Sequence, residues 1–182
     1  MVDLCSEAAT NVPGLRALQP GDMKLMHTWL NEPHLRPFYR QGPDPLESVE
    51  AKYLPRLDVA SRTACVVASI EDQPFGYMQW YLNRSYPEYG IELLEREFGV
   101  SIDYFIGDPR YLNRGLGSMM LVALVNEIEP GLAPEDRVFC IAHADENVRA
   151  IRCTTRAGFV RASSLIENGA PITLFVRDAT AT

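Results

Sequence analysis

The segment from Val100 to Ile128 constrains this chain more than any other. Val100 to Ile106 has the apolar, β-branched character of a short strand. Gly107 to Arg114 reads as a loop, and Leu116 to Ile128 as a helix carrying Met119, Met120, Val122, Ala123 and Leu124. Gly115 and Gly117 stand where that helix opens. The first four N–H groups of a helix lack internal partners, and its dipole adds positive potential there. Glycines let the backbone approach a phosphate closely and adopt torsions closed to other residues. The run Asn113-Arg114-Gly115-Leu116-Gly117-Ser118 is therefore expected to cradle an anion, although the glycine pair taken alone also fits a tight turn.

Two rival phosphate motifs fail on inspection. A Walker loop needs Gly-Lys followed by Ser or Thr, and the chain has none. A dinucleotide fingerprint needs a third glycine three residues after Gly117, where Met120 stands.

The remaining chain reads as one mixed α/β domain over 15–178, preceded by an N-terminal tail over 1–14. A strand at Leu15 to Leu18 is followed by a helix capped by Pro20-Gly21-Asp22, with Met23, Met26, Trp29 and Leu30 on one face. Pro33 and Pro37 bracket a loop carrying His34. Asp44 is expected to cap a second helix with Pro45 at its first position, ending before Pro55. Thr63 to Ile70 and Phe75 to Tyr81 form a hairpin candidate about Glu71 to Pro74. Arg84 to Gly99 is irregular and acidic, a loop or short helix. Val138 to Ala142 reads as a buried strand and Asn147 to Arg156 as a helix. Phe159 to Ile166 and Pro171 to Arg177 make a final hairpin turned at Asn168-Gly169.

Composition excludes several function classes. The net charge is −7, which disfavours nucleic acid as a partner, because phosphate binding needs a basic surface. It suits a cationic ligand or simple solubility. No apolar run is long enough to span a membrane, and Met1 to Val12 lacks the pattern of a secretory leader, so a cytoplasmic location is expected. Cys5, Cys65, Cys140 and Cys153 show neither metal-ligand spacing nor disulfide density, and no metal is expected.

The run Asp108-Pro109-Arg110-Tyr111-Leu112-Asn113-Arg114-Gly115-Leu116-Gly117 resembles the acetyl-CoA pyrophosphate loop of the GNAT acetyltransferases, with Leu112 where the pattern has Gln or Arg. A second block agrees. Asn147-Val148-Arg149-Ala150-Ile151-Arg152, then Ala157-Gly158-Phe159, is similar to the helix beside the coenzyme's pantetheine and adenine arm. Trp29-Leu30-Asn31, Lys52-Tyr53-Leu54-Pro55, Pro74-Phe75-Gly76-Tyr77, Gln79, Ile102-Asp103 and Ala150-Ile151-Arg152-Cys153 resemble the aminoglycoside 6′-N-acetyltransferases within that superfamily. The resemblance implies an α+β fold: a single GNAT domain with a mostly antiparallel mixed sheet, helices on both faces, and strands splayed at the acetyl-CoA site. It also implies acetyl transfer from acetyl-CoA to an amine of an aminoglycoside antibiotic, by a monomer or homodimer.

Asp103 interrupts an apolar strand just before the loop, and the resemblance gives it the role of base, which takes a proton from the acceptor amine. A buried structural aspartate is the competing reading. Phe105, Ile106 and Gly107 are expected as pantetheine contacts and as backbone donors to the thioester oxygen. Asn113, Arg114, Gly115, Leu116, Gly117, Ser118, Asn147, Ala150 and Arg152 are expected to hold the remainder of the coenzyme. Glu88, Gln79, Tyr104 and His143 join Asp103 as expected acceptor contacts. Glu92, Glu95 and Glu97 offer further acids, and Trp80 and Tyr81 aromatic faces, for the same cleft. Two departures from the family stand out: Thr154 occupies the position where many members carry a tyrosine, and Ala142-His143 the strand end where the aminoglycoside group often carries an aspartate. Other acceptors remain open at this point: a protein N-terminus, a polyamine or a hydroxylated lysine. So does a domain that binds acyl-CoA without turnover.

Overall fold

The computed structural model describes residues 12–39, 44–91 and 93–179. Strand β1 (Gly14–Ala17) leads through a 3-10 turn to helices α1 (Met23–Leu30), α2 (Arg36–Tyr39) and α3 (Leu46–Tyr53). Strands β2 (Ala64–Ile70) and β3 (Gln73–Leu82), the short α4 (Pro87–Gly90) and β4 (Val100–Ile106) follow. Helix α5 (Leu116–Ile128), β5 (Val138–Ala144), α6 (Val148–Arg156), β6 (Val160–Glu167) and β7 (Ala170–Asp178) complete the chain. The 7-stranded sheet has the order β1-β2-β3-β4-β5-β7-β6. Every pairing is antiparallel except that of β4 with β5.

Both hairpins turn where the sequence places them. Glu71 and Asp72 take φ of 49° and 60° between β2 and β3, and Asn168 and Gly169 take 49° and 80° between β6 and β7. Two consecutive left-handed residues give the turn twist that matches paired strands. Alternation along the strands then feeds two cores. Cys65, Val67, Tyr77 and Phe105 pack under Met23, Met26, Trp29, Leu30, Val49 and Tyr53 of α1 and α3. Met78, Val100, Ile102, Phe139 and Ile141 pack under Leu116, Met120, Leu121, Leu124 and Val125 of α5 on the other face.

The parallel pair β4–β5 is short. Only Val100↔Phe139 and Ser101↔Cys140 are in register, although β4 pairs with β3 as far as Ile106 and β5 with β7 as far as Ala144. Buried polar groups hold the paired end: Ser101 Oγ donates to Asn83 Oδ1 at 2.7 Å, and buried Asp136 pairs with Arg84. Beyond it the rings of Tyr104 and His143 meet edge to face at 5.7 Å on the α6 side of the sheet. The strands are splayed there, as expected.

Several local expectations shift. The second helix begins at Leu46, with Pro45 extended at its cap. Asp44 is held against α1 instead: its carbonyl accepts from His27 and Asn31, and its N–H donates to Asn31 Oδ1. After Tyr53 the chain passes through Pro55 as a 3-10 turn over Leu54–Leu57. Asp22 does not cap α1; its carboxylate takes the Gln19 N–H and pairs with Arg16 at 2.7 Å. The loop bracketed by Pro33 and Pro37 contains α2, and His143 lies within β5. Of the expected tail over 1–14, residues 1–11, with Cys5, lie outside the described residues, and Gly14 already belongs to β1. Among the described residues no helix is long and apolar enough to cross a membrane.

Gly117 brings α5 against α6. A Cβ there would lie 2.4 Å from Cys153 Sγ, whereas one on Gly115 (φ 78°) would meet nothing within 4 Å. Gly117→Ala is expected to lower stability in urea unfolding by about 1–3 kcal/mol through overpacking. Gly115→Ala should cost only about 1 kcal/mol, for its left-handed backbone. Equal losses for the two would contradict this.

Candidate active site

The opening between β4 and β5 joins two hollows. The first, of 370 Å³, lies between the end of β4 and the start of α6, lined by Phe105, Ile106, Leu112, Val148, Arg149 and Cys153 among others. The second, of 680 Å³, opens toward the β6–β7 turn and is lined by Tyr81, Tyr89, Asp103, His143, Glu167 and neighbours. Phe38, Tyr104, Asn147 and Ala150 line both.

The first hollow ends at the glycine loop. Leu112 is part of its wall, and exposed Asn113 and Arg114 follow directly. Asn113 and Gly115 adopt positive φ of 60° and 78°. The first intrahelical bond of α5 runs from Met119 N–H to Gly115 O, which leaves the amides of Leu116, Gly117 and Ser118 as first-turn donors. Arg114 lies over the Tyr111 ring at 5.5 Å. The Ser118 hydroxyl is turned inward, donating to Cys153 O at 2.9 Å, so only its amide faces the helix end.

Asn147 caps α6, its Oδ1 accepting from Ala150 N–H at 3.2 Å. Arg152 is exposed and lines neither hollow, whereas Arg149, which sequence reasoning passed over, lines the first. Gly107 carries no side chain because the Trp29 indole occupies the space: a Cβ would fall 2.1 Å from its ring. Its N–H donates to Phe75 O at 2.8 Å. Strand alternation therefore turns the Phe105 and Gly107 amides toward β3, and those of Tyr104 and Ile106 toward the opening. Among the three expected backbone donors, Ile106 faces the hollow. The Ile106 carbonyl accepts from His34 Nε2 at 2.8 Å, which places the ring proton on that nitrogen and ties the segment before α2 to the strand end.

The second hollow is acidic. Asp103 is partly buried and accepts from Gln79 Nε2 at 2.6 Å; Gln79 Oε1 in turn accepts from Tyr77 Oη at 2.9 Å and from Arg56. Burial raises the Asp103 pKa, against the lowering pull of the Gln79 bond and of the Arg56 and Lys52 charges. Glu167 is raised by burial and then by the nearby Asp103 charge. Glu167 was not singled out from the sequence; its place next to the Asn168-Gly169 turn was the one available signal. Exposed Glu88 stands outside this lining, in a side hollow of 200 Å³ that shares Tyr81 and Tyr89 with it. Glu95, Glu97 and Trp80 also lie outside, and Glu92 falls outside the described residues.

Tyr104 and His143 connect through Thr154. Tyr104 Oη lies 3.0 Å from Ala150 O and 2.9 Å from Thr154 Oγ1, and His143 Nε2 lies 2.7 Å from Thr154 Oγ1. Desolvation lowers the His143 pKa to about 4, so the ring is neutral at neutral pH.

A groove between splayed strands, with the first-turn amides of α5 just beyond one end and carboxylates at the other, suits a long phosphorylated donor meeting a cation. The sequence pattern of the "Acetyltransferase (GNAT) domain" family matches residues 19–165. The chain belongs to the GNAT acetyltransferase family. This acetyltransferase is 27% identical over 166 residues to an aminoglycoside N(6′)-acetyltransferase type 1 of Klebsiella pneumoniae, covering 90% of this chain and 81% of that protein. Its fold is similar to that of AAC(6′)-Ib in complex with paromomycin and acetyl-CoA, at a TM-score of 0.80 and 25% identity, covering 91% of this chain and 93% of that one. The AAC(6′)-Ib complex with coenzyme A and kanamycin gives the same TM-score, 0.80, and identity, 25%, over 91% of this chain and 94% of that one.

The neutral His143 makes the acetyltransferase acid-sensitive. Its pKa falls from 6.5 to about 4 on burial, so the unfolded chain takes the proton first. The stabilising effect is complete above about 6.5 and is lost as pH falls toward 4, at up to about 1.4 kcal/mol per pH unit. In urea unfolding followed across that range, His143→Gln should lose less stability than the wild type. Parallel pH profiles would contradict it.

Proposed function

We propose that this chain is an aminoglycoside 6′-N-acetyltransferase that moves the acetyl group of acetyl-CoA to a primary amine of the antibiotic, and so confers resistance. It would act in the cytoplasm as a monomer or homodimer. The observation that carries this reading is Asp103, held by Gln79 in an acidic cleft that opens onto the wall of the donor hollow. The likeness to aminoglycoside acetyltransferases over most of the chain supports it.

The residues divide the work. The amides at the start of α5 hold the pyrophosphate, where the helix dipole favours negative charge. The wall of Tyr104, Ile106, Asn147 and Ala150 holds the pantetheine arm. The Ile106 amide, beyond the last β4–β5 pair, is placed to donate to the thioester oxygen as negative charge develops. Asp103 and Glu167 attract the ammonium form of the acceptor. The ammonium first gives up one proton to solvent, which frees the nitrogen lone pair; a carboxylate whose pKa is raised by burial is a stronger base, so Asp103 takes the second proton as nitrogen attacks the thioester carbon. Tyr81 and Tyr89 offer flat faces to sugar rings along the same wall.

The test is turnover with kanamycin and tobramycin, scored as free thiol from acetyl-CoA and as drug tolerance of an expressing bacterium. Asp103→Asn should lower kcat about 100-fold or more and abolish the tolerance. Turnover on peptides or polyamines with none across an aminoglycoside panel would reassign the acceptor. Coenzyme binding without turnover on any amine would leave a binding domain.

A further inference from the structure

A donor thioester in the first hollow reaches an acceptor in the second only past the residues that line both: Phe38, Tyr104, Asn147 and Ala150. Phe38 and Ala150 bring no polar side-chain group. Asn147 caps α6 through its Oδ1, and its amide N–H groups are far weaker acids than a phenol. Among the described residues that line both, Tyr104 is the one with a side-chain hydroxyl. Cys153, the other side chain of the first hollow with a sulfur or hydroxyl proton, is off the shared wall and receives the Ser118 hydroxyl at 3.6 Å. His143, Asp103 and Glu167 belong to the second hollow only.

We infer that the Tyr104 hydroxyl donates a hydrogen bond to the sulfur of the departing coenzyme A thiolate, with Thr154 and His143 as positioning residues behind it. The inference rests on acetyl-CoA being the donor, as proposed above, and is independent of which amine accepts.

The step balances without a proton transferred to sulfur. When the tetrahedral adduct collapses, the C–S bond breaks, its electron pair stays on sulfur, and the carbonyl re-forms. The acceptor's proton has gone to Asp103. A thiol ionises near 8.5 and a tyrosine near 10, so tyrosine is the weaker acid. Burial raises Tyr104 further, which keeps its proton on oxygen. Sulfur then leaves as a hydrogen-bonded thiolate, and such charge-assisted bonds are roughly twice as strong as neutral ones. The geometry asks that the hydroxyl proton turn toward the sulfur from Ala150 O, 3.0 Å away, and from Cys153, with which Tyr104 also shares a hydrogen bond. In the tautomer with its proton on Nε2, His143 donates to Thr154 Oγ1, and Thr154 then donates to Tyr104 Oη. Each link polarises the next and makes Tyr104 Oη the acceptor from Thr154, so that Tyr104 donates its own proton in turn.

The test titrates the thiol of bound coenzyme A by the ultraviolet absorbance of its thiolate, in wild type, Tyr104→Phe and Thr154→Val, with coenzyme affinity from calorimetry. The bound thiol should ionise about one pH unit lower in wild type than in Tyr104→Phe, with Thr154→Val between them. Affinity at neutral pH should stay within about threefold, and kcat for acetyl transfer should fall about tenfold in Tyr104→Phe at little-changed KM for acetyl-CoA. Identical thiol titrations in two variants that both bind coenzyme would overturn the inference. If Tyr104→Phe fails to fold, the Thr154→Val titration decides on its own: an upward shift supports, no shift overturns. A shift in an enzyme that acetylates no aminoglycoside would refute the acceptor assignment and leave the Tyr104 role standing. Failure of the wild type to bind coenzyme would overturn both donor and inference.

Discussion

The structure depends on one interrupted pairing. β4 and β5 share two residue pairs and then part, each continuing on its other edge with a full antiparallel partner. An unpaired backbone group inside a sheet is costly, so such a gap persists only where something else meets those groups. Here part of that work falls to the rim, where His34 donates to the Ile106 carbonyl. What remains is a groove that runs from the wall of Ile106 and Leu112, just before the glycine loop, to an acidic cleft at the other end.

Alternation along β4 then separates two chemistries that are adjacent in sequence. Asp103 shares its face with Phe105 and Tyr77, under α1 and α3, where Gln79 and Arg56 hold it. Tyr104 points to the opposite face, onto α6. In a closed sheet these side chains would never serve one site. The splay lets the groove pass through the sheet, so Asp103 and Tyr104 both reach its wall. Glu167 arrives from the last hairpin and completes the acidic side. The structure thus puts the Asp103 carboxylate, the proposed base, and Tyr104, the proposed thiolate partner, on the wall of one groove.

Much of this was legible in local sequence signals. The two hairpin turns, the Asn147 cap and the glycine loop each depend on residues within a few positions of one another, and each stands where the sequence places it. Gly117 was legible as a required glycine, but its reason was not: the neighbour that forbids a side chain is Cys153, 36 positions along the chain from it and visible only once α5 and α6 pack. The same holds for Glu167, Arg149 and the His34–Ile106 bond, which are products of tertiary contact. Asp44 shows the converse, a strong local helix-cap signal overridden by three hydrogen bonds to α1. Alternation was available from the sequence, yet the direction of the β4 amides needed the register with β3, because a shift of one residue would exchange which of Phe105 and Ile106 faces the groove.

The account makes the Tyr104–Asn147–Ala150 wall the point where donor and acceptor meet. The most direct test is a crystal structure of the ternary complex with coenzyme A and kanamycin. The account predicts the pyrophosphate on the amides of Leu116 to Ser118, the sulfur at the Tyr104 hydroxyl, and the 6′-amine beside the Asp103 carboxylate. A coenzyme whose arm bypasses the β4–β5 opening, or an antibiotic bound away from Asp103, would contradict it.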